Sequence, residues 1–288
     1  MARTGRIPII APATADLTPH WEQIEPLLDE HTIAVVLAHL RGRPATDIQR
    51  IAVELARRGV MLIEDCAQAW GATVDGLPVG RHGRAAVFST ETHKLIATGE
   101  GGVIVADDDE LLTALRAVGG DTRVALPTGN RSRGNNRMSE IAAASALPQL
   151  DHLRRLRDLL HPLQAALIDR LHSTATVHGV LPVTDNARTN LGAEASNGSL
   201  VAIWLATGGL AKRVADRLFQ LGARHWWPGP GDPHLAENWV NAFGNGSHVD
   251  VTCYLDIQIP VLEQSQHQVF VDLIHSALTG DNSTGART

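Results

Sequence analysis

Residues 33–63 read IAVVLAHLRGRPATDIQRIAVELARRGVMLI. The run at 33–37 is continuously apolar. A turn with Gly42 and Pro44 follows, and Ile48, Ile51, Ala52, Leu55 and Ala56 then recur at helical spacing. Thr46 or Asp47 can cap that helix, and Gly59 suits the left-handed position at its end. A second apolar run at 60–63 completes a strand, helix, strand unit. Two buried strands joined by a helix of this length form a right-handed crossover with the strands parallel, so the first part of the chain is α/β.

Working outward, strands are expected at 85–88 and 103–106 and a helix at 109–118, before a loop at 119–136 rich in Gly, Asn, Arg and Thr. Residues 139–172 carry a long, leucine-rich helical pattern that Pro148 and Pro162 should kink or break. After a polar loop at 185–199 come a strand at 200–205, a helix at 210–221, a strand at 251–255 and a helix at 264–278, an α+β arrangement. The polar tail is expected to be disordered. The expected division is therefore a large domain at 1–137, a smaller α+β domain with a long connecting helix at 138–278, and a tail at 279–288.

The 288 residues are 44% apolar and 19% charged, enough to bury a substantial core. A formal net charge of −6 gives no field to attract nucleic acid or an anionic membrane surface. No apolar run approaches the roughly 18–20 residues of a membrane span, and the start does not resemble a secretory signal, which predicts a cytoplasmic protein. Cys66 and Cys253 cannot supply a four-ligand zinc site by themselves and read as buried small hydrophobes, so no metal is expected. Of the 25 Lys and Arg residues only Lys94 and Lys212 are lysines, which leaves amine chemistry two candidates.

Residues 61–69, MLIEDCAQA, place acidic side chains directly after an apolar strand. In a parallel sheet the carboxyl ends of the strands form the ligand crevice, so Asp65 is well placed for ligand contact. A helix cap or loop carboxylate is the plainer alternative. Residues 88–94, FSTETHK, put the Ser89 hydroxyl after a second strand and Lys94 five residues later, and the turn 98–102, TGEGG, leads back into the sheet. This pattern suggests a pocket with an amine inside.

Four motifs together, DCAQA at 65–69, Phe88-Ser89 with Lys94, GEGG at 99–102 and NNRMSE at 135–140, resemble the DegT/DnrJ/EryC1/StrS group of pyridoxal-phosphate aminotransferases. The resemblance implies an incomplete fold-type-I large domain with a mostly parallel sheet. It also implies the cofactor pyridoxal 5'-phosphate (PLP) and transfer of an amino group from a glutamate-like donor to a keto sugar nucleotide or keto-cyclitol. By the same resemblance Lys94 is the Schiff-base lysine, Asp65 the partner of the pyridine nitrogen, Gln68 the neighbour of the ring hydroxyl and Ser89 a phosphate ligand. Asn135 matches a position that reaches the phosphate of a neighbouring subunit, which implies a dimer with shared sites. Lysine at position 94 argues against the related sugar dehydratases, in which that lysine is replaced.

By the same resemblance, residues from Gly5 through Gly42 align with the middle of the family's large domain, so a counterpart of its usual N-terminal segment, with a phosphate-binding turn and a stacking aromatic, is not expected in these residues. The sheet is then expected to have an open edge. A homologous partner, forming a homodimer or heterodimer, would repair both. The alternative function is a noncatalytic partner subunit that stabilises or regulates a full-length homologue; a third is another PLP reaction, dehydration or epimerisation. Gly76, Gly80 and Gly83 read as turns and Asp107, Asp108 and Asp109 as a helix cap. The stretch 225–234, HWWPGPGDPH, can hold a sugar or nucleobase or simply pack, and Arg131, Arg133 and Arg137 can grip a diphosphate or carboxylate or stand in solvent.

Overall fold

The computed structural model describes residues 5–14, 17–127, 133–181, 195–227 and 253–280. A short helix α1 (Trp21–Ile24) precedes strand β1 (Ala34–Ala38), helix α2 (Ile48–Arg57) and strand β2 (Met61–Asp65). Ile48, Ile51 and Leu55 are fully buried on one stripe of α2, each contributing about 2 kcal/mol by leaving water. Asp47 stands at the N-cap, yet its Oδ2 accepts the Trp21 N–H at 2.9 Å instead of capping α2, while Gly59 takes the expected left-handed conformation with φ 67°.

A tight hairpin of β3 (Thr73–Val74) and β4 (Leu77–Pro78) follows, turned by Gly76 at φ 77°, and then strands β5 (Ala85–Ser89) and β6 (Gly102–Val105). The first sheet has the order β1-β2-β5-β6. The first two pairings are parallel and β5 with β6 antiparallel, so the sheet is mostly parallel as expected. Among the described residues β1 has no neighbour on its outer side.

Helix α3 (Asp109–Gly119) is capped by Asp108, whose Oδ1 accepts the Leu111 N–H at 2.8 Å. Two further helices, α4 (Glu140–Asp151) and α5 (Leu153–His172), each run through their proline. A break at Pro148 or Pro162 is therefore corrected: the chain breaks helical continuity at His152, whose ring Nδ1 lies 2.7 Å from the Pro148 carbonyl. Ser139 caps α4 by accepting the Ala142 N–H.

The second sheet is antiparallel, in the order β7 (Val177–Leu181), β8 (Leu200–Leu205), β10 (Tyr254–Gln258) and β9 (His225–Trp226). Helices α5, α6 (Gly208–Gln220) and α7 (His267–Thr279) close its core around Leu163, Leu167, Ile203, Val214, Leu255 and Ile274. The strand expected at 251–255 lies three residues later, and β7 and β9 were not expected. Cys66 is buried, but Cys253 is half-buried rather than buried. The tail from 281 on lies outside the described residues. No described helix is long and apolar enough to cross a membrane.

Candidate active site

The end of β2 and the end of β5 lie side by side. Asp65 pairs in register with Val87, and the Cys66 N–H donates to the Val87 carbonyl at 2.8 Å. Because successive strand residues alternate in direction, Asp65, Val87 and Ser89 share one face of the sheet while Glu64 points to the other. Asp65 Oδ1 accepts the Ala67 N–H at 3.0 Å, which turns the chain out of the strand, and its second oxygen has no partner among the described residues.

Gln68 follows in that turn. Its Oε1 accepts two donors, the Arg41 N–H at 2.8 Å and Arg41 Nη1 at 3.3 Å, which leaves the amide nitrogen unspent among the described residues. Ser89 Oγ accepts the Glu91 N–H at 3.3 Å and keeps its own hydrogen to donate. The Trp70 indole N–H donates to the Ser89 carbonyl at 2.7 Å and ties the two strand ends together.

Lys94 sits in the turn between β5 and β6, half-buried. Its backbone N–H donates to the Glu91 carbonyl at 2.9 Å, and its ammonium makes no hydrogen bond or ion pair among the described residues. The turn is closed by the Thr98 N–H to Thr90 carbonyl bond at 2.8 Å and the Thr90 N–H to Gly101 carbonyl bond at 3.0 Å. Gly101 has φ 140°, and a side-chain carbon there would lie 2.9 Å from Thr90 Oγ1 and 2.7 Å from Met138 Cε, so glycine is required.

Two supports were not singled out from sequence. Gln149 of α4 pairs with residue 97 as a strand would, accepting the Ala97 N–H at 2.9 Å and donating to the Ala97 carbonyl at 2.9 Å. Glu64, fully buried, accepts from the backbone N–H groups of Gly80, His82 and Gly83 at 2.7, 2.7 and 2.6 Å, and from His39 Nε2 at 2.9 Å. Burial alone would raise its pKa, but these donors outweigh it and hold it well below the usual carboxylate range. Two of the glycines read as turns, Gly80 and Gly83, thus also form with His82 an amide cradle for Glu64. The spacing of a buried-strand glutamate from a Gly-rich turn was the signal that could have found it.

Donor atoms of His39, Glu64 and Cys66 lie within 4.8 Å of one another. His39 Nδ1 accepts the Ala45 N–H at 2.9 Å, which leaves its hydrogen on Nε2, directed at Glu64. Burial and the neighbouring Glu64 and Asp65 push the Cys66 thiol far up, so a protonated thiol lies beside a hydrogen-bonded His39–Glu64 pair.

Asp65, Gln68, Ser89 and Lys94 are therefore all placed at the carboxyl ends of β2 and β5. Asn135 is not brought among them: it is exposed and hydrogen-bonds to none of the four, while its neighbours Gly134 and Asn136 donate to the Val118 and Gly119 carbonyls at the end of α3. Arg133, read as a solvated charge or an anion grip, is neither. It is half-buried and donates to the carbonyls of Ala117, Asp121 and Val124 at 3.0, 2.7 and 2.7 Å. Arg137 is exposed, and Arg131 lies outside the described residues. Trp226 packs its ring 6.2 Å from that of Tyr254, and Trp227 packs against the second core; 228–234 lie outside the described residues.

The chain is 37% identical over 180 residues to the L-glutamine:scyllo-inosose aminotransferase of Streptomyces griseus, covering 56% of this chain and 40% of that protein. It is 30% identical over 304 residues to the L-glutamine:2-deoxy-scyllo-inosose aminotransferase of Streptomyces paromomycinus, covering 95% of this chain and 67% of that protein. The chain thus spans well under half the length of the first of these relatives. The solved structure of DesI with its TDP-sugar product superimposes with a TM-score of 0.74 at 26% identity, covering 99% of this chain and 72% of that one. Residues 2–205 match one family throughout, and the chain belongs to it: the DegT/DnrJ/EryC1/StrS aminotransferase family.

Proposed function

We propose that this chain is a PLP-binding aminotransferase subunit that moves an amino group from an α-amino acid to a keto-cyclitol or keto sugar nucleotide. We place its large and small units on either side of residue 137, and the site is completed by a homologous chain. One observation carries the reading: Lys94 Nζ, the second oxygen of Asp65 and the Gln68 amide nitrogen, all without partners among the described residues, sit at the carboxyl ends of β2 and β5.

That donor set fits the ring end of PLP. When bound, the cofactor supplies an aldehyde and an electron-accepting ring. Lys94 Nζ would attach to the aldehyde carbon with the carbonyl oxygen leaving as water and, once the donor's amine has taken its place, would move the proton at the substrate carbon. Asp65 would keep a proton on the ring nitrogen, Gln68 would donate to the ring oxygen, and the Ser89 hydroxyl would donate to the phosphate. A phosphate dianion needs several donors, and Asn135 is suited to add one in a neighbouring copy's site because it is exposed and has no hydrogen-bond partner among the described residues.

The relatives named for L-glutamine and inososes make glutamine and a keto-cyclitol the first pair to test. The chain, alone and coexpressed with a full-length family member, is mixed with PLP, trapped with borohydride and peptide-mapped. Label on Lys94 that disappears in Lys94→Ala is expected; no label at Lys94 in any assembly overturns the reading and favours a noncatalytic partner subunit.

A further inference from the structure

We propose that Arg41 is a positioning residue for Gln68, held in place by Asp256 and Tyr254 of the second sheet; the inference rests on the cofactor reading above. Arg41 has φ 59°, a conformation that costs a side-chain-bearing residue about 1 kcal/mol and persists only when its surroundings hold it. The surroundings are explicit. Arg41 Nε lies 2.7 Å from both Asp256 Oδ2 and the Tyr254 hydroxyl, and Tyr254 in turn donates to the other Asp256 oxygen. The guanidinium is centred 5.0 Å from the Trp226 ring and 5.5 Å from the Tyr254 ring.

Held there, Arg41 aims its backbone N–H and Nη1 at the same atom, Gln68 Oε1. A flipped amide would set N–H groups against N–H groups, so one orientation is fixed. Gln68 can then offer its neighbour a donor and never an acceptor, which matches an anionic ring oxygen. A second strap works in parallel. Asn197 Nδ2 donates to the Gln68 carbonyl at 3.1 Å, and the Asn197 N–H donates to the Gly42 carbonyl at 2.7 Å. Any side-chain carbon at Gly42 would collide with Asn197 Oδ1 at 2.1 Å. The second sheet thereby sets the polarity of a group more than a hundred residues away in sequence.

The test is a double-mutant cycle on PLP affinity and on the pH midpoint of the bound cofactor's visible absorption band, with the chain coexpressed with a full-length family member. Asp256→Asn is expected to weaken PLP about fivefold, the worth of one hydrogen bond, and to move the midpoint in the same direction as Gln68→Leu. In the Gln68→Leu background it should add nothing, since the amide it orients is gone. The apolar pair Arg41→Met with Asp256→Leu, which leaves no buried charge unpaired, guards against a folding defect and should give the same shift. A wild-type band that responds to Gln68→Leu but not to either Asp256 variant overturns this inference alone, as does an Asp256 effect that survives without Gln68. No band in wild type overturns the cofactor reading and this inference with it.

Discussion

Glu64 and Asp65 are neighbours in β2 that the pleat sends to opposite faces, and their surroundings give them opposite tasks. Asp65 keeps an oxygen for a ligand, whereas both Glu64 oxygens are consumed by three backbone N–H groups and His39. Glu64→Gln replaces an acceptor-only carboxylate with an amide that has a single acceptor oxygen, so at least one buried N–H loses its partner. A loss on the order of 3 kcal/mol is expected, measured by urea unfolding at neutral pH. The native carboxyl releases its proton more readily than the unfolded one, whose ordinary pKa is 4.5. Its contribution is therefore complete above that value and is lost as the pH falls below it. Acid-unfolding curves should show a shallower decline for the variant than for wild type; parallel curves would remove Glu64 from the account.

At the scale of elements, the turn that carries Lys94 is only as well placed as its supports. Gln149 bonds both ways to Ala97, three residues after Lys94, so α4 clamps the turn through one amide. Gln149→Ala should leave the helical signal in circular dichroism intact, cost about 1–2 kcal/mol of local stability and lower PLP occupancy, with hydrogen exchange rising at 94–98. Unchanged exchange there would mean that the Thr90, Thr98 and Gly101 bonds suffice. This clamp also shows what was legible in the sequence. The crossover from β1 to β2, and the placing of Asp65, Ser89 and Lys94 at strand ends, follow from apolar periodicity, because burial fixes which residues alternate. The Gln149 clamp and the Arg41 to Asp256 contact join segments 52 and more residues apart through single polar atoms, and no local pattern encodes them. The route of α4 through Pro148 likewise depends on what the helix meets on either side of that residue: Ala146 buries against the first core and Gln149 bonds to Ala97. Short strands such as β9 carry too few residues for alternation to register.

At the scale of the molecule, the two faces of the first sheet are unequal. On one face Leu37, Glu64 and Ala86 are almost wholly buried beneath α2 and the 66–80 segment. On the other, register aligns Ala38, Asp65, Val87 and Ile104 in one row across all four strands, with Val36 one row away. Val36, Val87 and Ile104 remain 54%, 38% and 45% exposed, so the candidate catalytic carboxylate lies in an uncovered apolar row. A covering chain would bury that row, exclude water from Asp65 and bring further phosphate donors in one step, which is why the partner proposal and the cofactor proposal stand together. Val36→Lys with Ile104→Lys places two charges on this face while leaving α2 and its core untouched. Copurification with a full-length family member and the cofactor band formed in that mixture should both be lost, while far-ultraviolet circular dichroism is retained. If the lysine variant still copurifies and still forms the band, the covering chain sits elsewhere, and Asp65 works on a face open to water.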